Sequence, residues 1–144
     1  MKQPDIRLAT LLTYSGALPF ILAVLLVYLL PAGADRASPA IMAYGALIIS
    51  FLCGIHWAAY LFFSGQCRLP LLLASNIITL TAWGSFMVPE ALVTYTIQVA
   101  CFLTLFAVDA ALHRAGIIPL WFYHLRRNAT VVVVVCLVQL ALFS

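Results

Sequence analysis

Five apolar segments fill the chain almost end to end: about 8–30, 39–63, 69–88, 91–113 and 119–143. Each approaches the ~20 residues that cross a hydrocarbon core of about 30 Å as a helix. Two thirds of the 144 residues are hydrophobic and only 8% are charged, against roughly a quarter in soluble domains. A soluble chain of this length could not hide so much apolar surface, so lipid is its solvent. The sequence predicts an all-α membrane protein, a single transmembrane domain over 1–144. The breaks between segments are turn chemistry: Pro31-Ala-Gly-Ala-Asp-Arg, Ser64-Gly-Gln-Cys-Arg, Pro89-Glu and Ala115-Gly. Loops this short join antiparallel neighbours, which makes the architecture an up-down bundle of five helices.

Charge sets the orientation. Lys2, Arg7, Arg68, Arg114, Arg126 and Arg127 fall on the side of the N-terminus, and only Arg36, next to Asp35, falls on the other, where Glu90 also lies. Six basic residues against one predict a cytoplasmic (or matrix) N-terminus and an outer C-terminus. Tyr28, Trp83, Trp57 and Trp121 suit aromatic belts near the two interfaces. The first segment exceeds the ~7–15 apolar residues of a signal peptide, so it is expected to stay as a helix despite the cleavage-like Ala32-Gly-Ala34. The Asn128-Ala-Thr130 sequon falls on the inner side and carries no expectation of glycosylation. The net charge of +3 comes without a basic run, which argues against nucleic acid as a partner. Cys53, Cys67, Cys101 and Cys136 match neither a zinc spacing nor a disulfide framework and are expected to be free thiols.

The polar residues within the spans are the functional candidates, because an ionisable group at membrane depth is costly without a partner. His56, in Phe51-Leu-Cys-Gly-Ile-His56-Trp57, lies two turns from the inner end of the second segment, with Tyr60 one turn beyond. Tyr14, Asn76 and Asp109 lie at similar depth in their own segments. Gln98, near the middle of the fourth segment, and Gln139 are exceptions. The clustering predicts a polar pocket open to the cytoplasm or a shared hydrogen-bond network. His56 suits either a structural hydrogen bond to Asn76 or a backbone carbonyl, or a ligand or proton role. A metal site is the weakest reading, because only one histidine is deep.

Ser50, Gly54 and Ala58 recur every four residues opposite His56, a stripe that predicts close packing by another helix. Gln98, Cys101, Leu105 and Asp109 share one face, expected to point into the bundle. Val131 to Val135 read as lipid-facing filler. The fifth helix is expected to begin near Pro119, which brings Arg126 and Arg127 level with Asp109. One of the two is predicted to pair with its carboxylate, with Trp121, Tyr123 and His124 at the interface. The pair would lock two helices or present a guanidinium to an anionic headgroup.

Two stretches, Tyr44-Gly-Ala-Leu-Ile-Ile-Ser50-Phe51-Leu-Cys-Gly54-Ile-His56-Trp57 and Pro119-Leu-Trp121-Phe122-Tyr-His-Leu125-Arg126, together resemble an uncharacterised family of small five-helix membrane proteins. That family spans proteobacteria and mitochondria and includes the vertebrate transmembrane protein 69 group. The resemblance covers about residues 8–143 and continues through Thr130. Cys53 stands where a second glycine is usual, and Phe122 where tyrosine is usual. The resemblance implies an inner-membrane location and five helices, and supplies no mechanism.

No serine with a paired histidine, no His-Glu-x-x-His motif, no acidic pair and no glycine-rich phosphate loop occurs. Two function classes follow. In the first, the bundle is a binding or accessory protein. It holds an amphiphile (quinone, lipid or tetrapyrrole) in the inner half of the membrane, or docks on a larger membrane complex. Tyr14, His56, Tyr60, Asn76, Asp109, Trp121, Arg126 and Arg127 are its candidate ligand-binding residues. In the second, a small membrane enzyme or proton-coupled transporter uses His56 as acid/base, a role imidazole suits because it titrates near neutrality. The residues favour the first class. They name no cofactor.

Overall fold

A computed structural model describes residues 3–30, 34–63, 65 and 70–144. Its described residues form five helices and no strand: α1 (Gln3–Leu29), α2 (Ala34–Phe62), α3 (Leu71–Gly84), α4 (Ala91–Arg114) and α5 (Leu120–Leu142), with one 3₁₀ turn, Ser85–Met87, after α3. The side chains of Lys2, Asp35, Arg36, Cys67 and Arg68 lie outside the described residues.

Four of the helices (α1, α2, α4 and α5) are long and apolar enough to cross a membrane. The third differs from the expected span of about 69–88. Its 14 α-helical residues rise only ~21 Å at 1.5 Å each. The cause is local: Val88 precedes Pro89, which disfavours helical geometry at that residue, and Val88 is extended at φ −94° and ψ 124°. The chain therefore tightens into the 3₁₀ turn and leaves the helix early.

Consecutive helices pack on each other, and α1 also packs on α5 and α2 on α4. Cross-helix contacts give the directions. Ser38 meets Tyr95, Gln98 meets the Met42 carbonyl, and His56 meets Asp109, so α2 and α4 run parallel. Tyr14 meets Asn128 near one end, and Tyr28 meets Phe143 at the other, so α1 and α5 also run parallel. Both directions fit the up-down arrangement that the short loops predict. The start of α1, the end of α4 and the start of α5 share one end, and with them Arg7, Arg114, Arg126 and Arg127.

The core is built from Phe20, Ile49, Leu52, Tyr95, Phe102, Leu105 and Leu137, all buried. Outward-facing Leu8, Leu11, Leu22, Phe51, Leu80 and Leu103 leave the bundle's flank apolar, the surface expected of a protein dissolved in lipid. Gln98, Cys101, Leu105 and Asp109 are all buried, so the interior stripe of α4 is borne out. The stripe expected to pack on α2 is not. Ser50 and Gly54 are exposed, and a Cβ on Gly54 would meet nothing within 4 Å. With His56 and Cys53 turned inward, the opposite face of α2 has to turn out. The valine run is likewise divided: Val131 and Val135 are exposed and Val133 is in the core.

The glycine that does permit close approach is Gly45. A Cβ there would collide with the Gln98 side chain, whose amide nitrogen donates to the Met42 carbonyl at 2.7 Å. One mid-span amide nitrogen is in this way paired across two helices, while Gln98 Oε1 is buried without a hydrogen-bond partner among the described residues. At the other end, α4 stops at Gly116, the only described glycine with positive φ, at 74°. Gly116 N–H donates to His113 O and Ile117 N–H to Leu112 O, both at 3.0 Å. These two bonds make a Schellman cap, which needs the left-handed residue that glycine supplies without a Cβ penalty. His113 Nδ1 also bonds to Ile118 O at 3.0 Å, fixing the turn that launches α5 after Pro119, which occupies the capping position at φ −71° and ψ 156°.

Candidate functional site

Three ionisable side chains from three helices meet inside the bundle. Asp109 is 1% exposed, His56 1% and Arg126 6%. Asp109 accepts from His56 Nε2 on Oδ1 at 2.8 Å and from Arg126 Nε on Oδ2 at 2.9 Å. A carboxylate can only accept, so Nε2 of His56 carries the shared proton. Each helix delivers its residue from an inward face: His56 lies one turn beyond buried Cys53, Asp109 one turn beyond Leu105, and Arg126 one turn before Ala129 and Thr130. The formal charges of Asp109 and Arg126 cancel. That balance is what makes the cluster tolerable in an apolar interior.

The pairing of Asp109 with one of two arginines thus falls to Arg126. Arg127, the next residue on the helix, faces outward and reaches only the Asn128 side chain, at 3.4 Å. His56 pairs with Asp109 rather than with Asn76, whose exposed side chain donates to Leu72 O of its own helix at 2.7 Å. The remaining candidates lie apart from the cluster. Tyr14 is 41% exposed and reaches Asn128 at 3.5 Å. Tyr60 is half-buried and packs beside Ala59, Leu71 and Leu112. Trp121 is half-buried against Phe122. Cys53, Cys101 and Cys136 are free thiols, all buried.

Beside the charge cluster is a cavity of about 330 Å³ between α1, α2 and α5, with Phe102 of α4 on its wall. Its lining includes Thr13, Gly16, Ile48, Leu52, Ile55 and Val133, and is apolar except for a few positions. Leu12 and Phe51, which also line it, are 61% and 68% exposed, so the cavity opens on the bundle's apolar flank. Of the residues expected to bind a ligand, only Arg126 reaches this wall. His56 is not among the lining residues, although its neighbours Leu52 and Ile55 are. Sequence reasoning missed Thr130, which lines the cavity and whose buried hydroxyl has no hydrogen-bond partner among the described residues. Its position one turn after Arg126 was the available signal.

A family model described as "Protein of unknown function (DUF3429)" matches residues 6–142, nearly the whole chain. The chain belongs to the DUF3429 family. No curated protein matches the chain, and no solved structure does. The matched region contains the charge cluster, the cavity and all five helices but for the first three residues of α1, so these belong to the unit that the DUF3429 model describes. Among the described residues no group of three or more His, Cys, Asp or Glu side chains is placed to hold a metal ion.

Proposed function

We propose that this DUF3429 protein is a multi-pass membrane protein that holds a small amphiphile in the cavity between α1, α2 and α5. One observation carries the reading: an apolar cavity, open to the apolar flank, has a buried guanidinium on its wall. Ligand sites commonly combine an apolar lining with a few placed polar groups. Here the opening faces where lipid would lie, so a ligand would enter from the bilayer rather than from water. At about 330 Å³ the space is near the lower limit of small-molecule pockets, roughly 300–1,000 Å³. That size favours one ring or one acyl chain over a tetrapyrrole macrocycle. The charge cluster serves as the site's anchor, with Asp109 and His56 holding Arg126 in place. Acid/base chemistry by His56 is less well supported, because the imidazole donates to Asp109 and does not line the cavity.

The orientation we infer places the end bearing Arg7, Arg114, Arg126 and Arg127 on the cytoplasmic side of a bacterial inner membrane, from the excess of basic residues there. A closer kinship to the transmembrane protein 69 group rests on the two sequence stretches around Gly54 and Trp121.

Native mass spectrometry of the protein extracted in mild detergent tests the reading, with Thr13→Phe as the control. Thr13 lines the cavity, and its hydroxyl bonds only to Ala9 O of its own helix, so the substitution fills the space at little structural cost. A discrete bound mass in the wild type that is lost in Thr13→Phe is expected. The same bare mass, or the same adduct, in both proteins would refute the assignment.

A further inference from the structure

The cavity wall also specifies what kind of head group the amphiphile carries, an inference that rests on the binding role proposed above. Thr130 is the decisive residue. Many hydroxyls in the helices bond to the carbonyl one turn back, as Thr10 does to Ile6, Thr13 to Ala9, Ser50 to Ala46, Thr81 to Ile77, Thr96 to Leu92 and Thr104 to Ala100, while Ser38 and Thr94 find partners on other elements. The bond one turn back is the local default for serine and threonine in a helix. Thr130, only 4% exposed, forgoes it and has no other partner among the described residues. A buried hydroxyl without a partner is costly, and the residue that carries this one lines a cavity.

Arg126 adds donors beside it. Its Nε–H is taken by Asp109, and the guanidinium's other N–H groups have no acceptor among the described residues. The wall next to the charge cluster therefore offers hydrogen-bond donors without a matching acceptor. Charge chooses between the ligands that could accept them. Asp109 already neutralises Arg126, so an anion would bring to that pair a charge it does not compensate, which is expensive in an apolar space. A neutral oxygen acceptor satisfies the donors and leaves the charge balance unchanged.

We propose that the cavity binds amphiphiles through a neutral carbonyl, of an ester or a quinone, that accepts from Thr130 Oγ1 and the Arg126 guanidinium while the apolar part lies against Ile48, Leu52, Ile55 and Val133. The test uses the full chain in lipid nanodiscs and four probes. Methyl dodecanoate and decylbenzoquinone carry neutral carbonyls, dodecanoate carries the anion, and dodecane has no head. Association is read by saturation-transfer NMR, and hydrogen bonding by the ¹³C shift of a labelled probe carbonyl. Thr130→Val removes a hydroxyl that no protein group uses, and Thr130→Ser restores one.

The expected result is that at least one carbonyl probe binds more tightly than dodecane and dodecanoate. Its carbonyl shift should move on binding. Thr130→Val should weaken that probe roughly threefold to tenfold, the loss of one hydrogen bond, leave dodecane unchanged, and be rescued by Thr130→Ser. The tighter of the two carbonyl probes identifies the source of the acceptor. Equal binding of all probes with no effect of Thr130→Val, or preference for dodecanoate, would overturn the carbonyl assignment and leave the cavity's binding role standing. Failure of all four probes to bind the wild type would overturn the binding role itself.

Discussion

Replacing Arg126 by Met separates the charge cluster in a way whose cost can be worked out. The substitution keeps most of the side-chain volume and leaves the Asp109 carboxylate, 1% exposed, with His56 as its only partner. Removing one member of a buried ion pair typically costs about 3–5 kcal/mol, because a charge is left uncompensated. Asp109→Leu should cost less. The long arginine can lift its head toward the nearby end of the bundle, whereas the short aspartate could not. The double variant Asp109→Leu/Arg126→Met removes both charges and retains one loose donor, His56 Nε2–H, worth about 1–3 kcal/mol. It should therefore be more stable than Arg126→Met alone, and far more stable than the sum of the two single effects. Reversible unfolding in mixed micelles, followed by circular dichroism, measures all four corners of this cycle. Additivity within about 0.5 kcal/mol, the behaviour of independent sites, would refute the coupling.

Other consequences concern individual contacts. Gly45→Ala should destabilise the same unfolding transition by about 1–3 kcal/mol through overpacking against Gln98, and adding Gln98→Ala should recover part of the loss. Gly116→Ala, at a left-handed position, should cost about 1–2 kcal/mol. Thr130→Val should leave the empty protein as stable or more stable, by up to roughly 1 kcal/mol, because it removes an unpaired buried hydroxyl. A clear loss of stability would mean that Thr130 has a protein partner.

Much of the bundle was legible because two signals dominate the chain: apolar runs of membrane-spanning length and the cost of burying charge. The second located the partner of Asp109. Once α5 starts near Pro119, only Arg126 or Arg127 is level with that carboxylate, and a helix face then selects Arg126. The partner of His56 was not legible by the same counting. Asn76 and Asp109 lie at similar depth, and only the rotation of α3 and α4 decides between them. The face of α2 was misassigned because small residues at four-residue spacing look alike whether a helix or lipid covers them. Gly45 was overlooked for a related reason: its role depends on Gln98 two helices later. The shortness of α3 was written in Val88-Pro89, a local signal that hydropathy averaged away. The cavity had no signature of its own, because it is a gap left between α1, α2 and α5 by side chains that each look like ordinary core.

The central claim is that this gap takes up an amphiphile from the bilayer, and methyl NMR tests it most directly. With Ile, Leu and Val methyls labelled in protein extracted with its native lipids, Ile55 and Val133 on the cavity wall should show intermolecular contacts to a single bound species, persisting after detergent exchange. If only outward methyls such as Leu47 and Val131 contact amphiphile protons, and Ile55 and Val133 see nothing but protein, the cavity does not bind and the account fails.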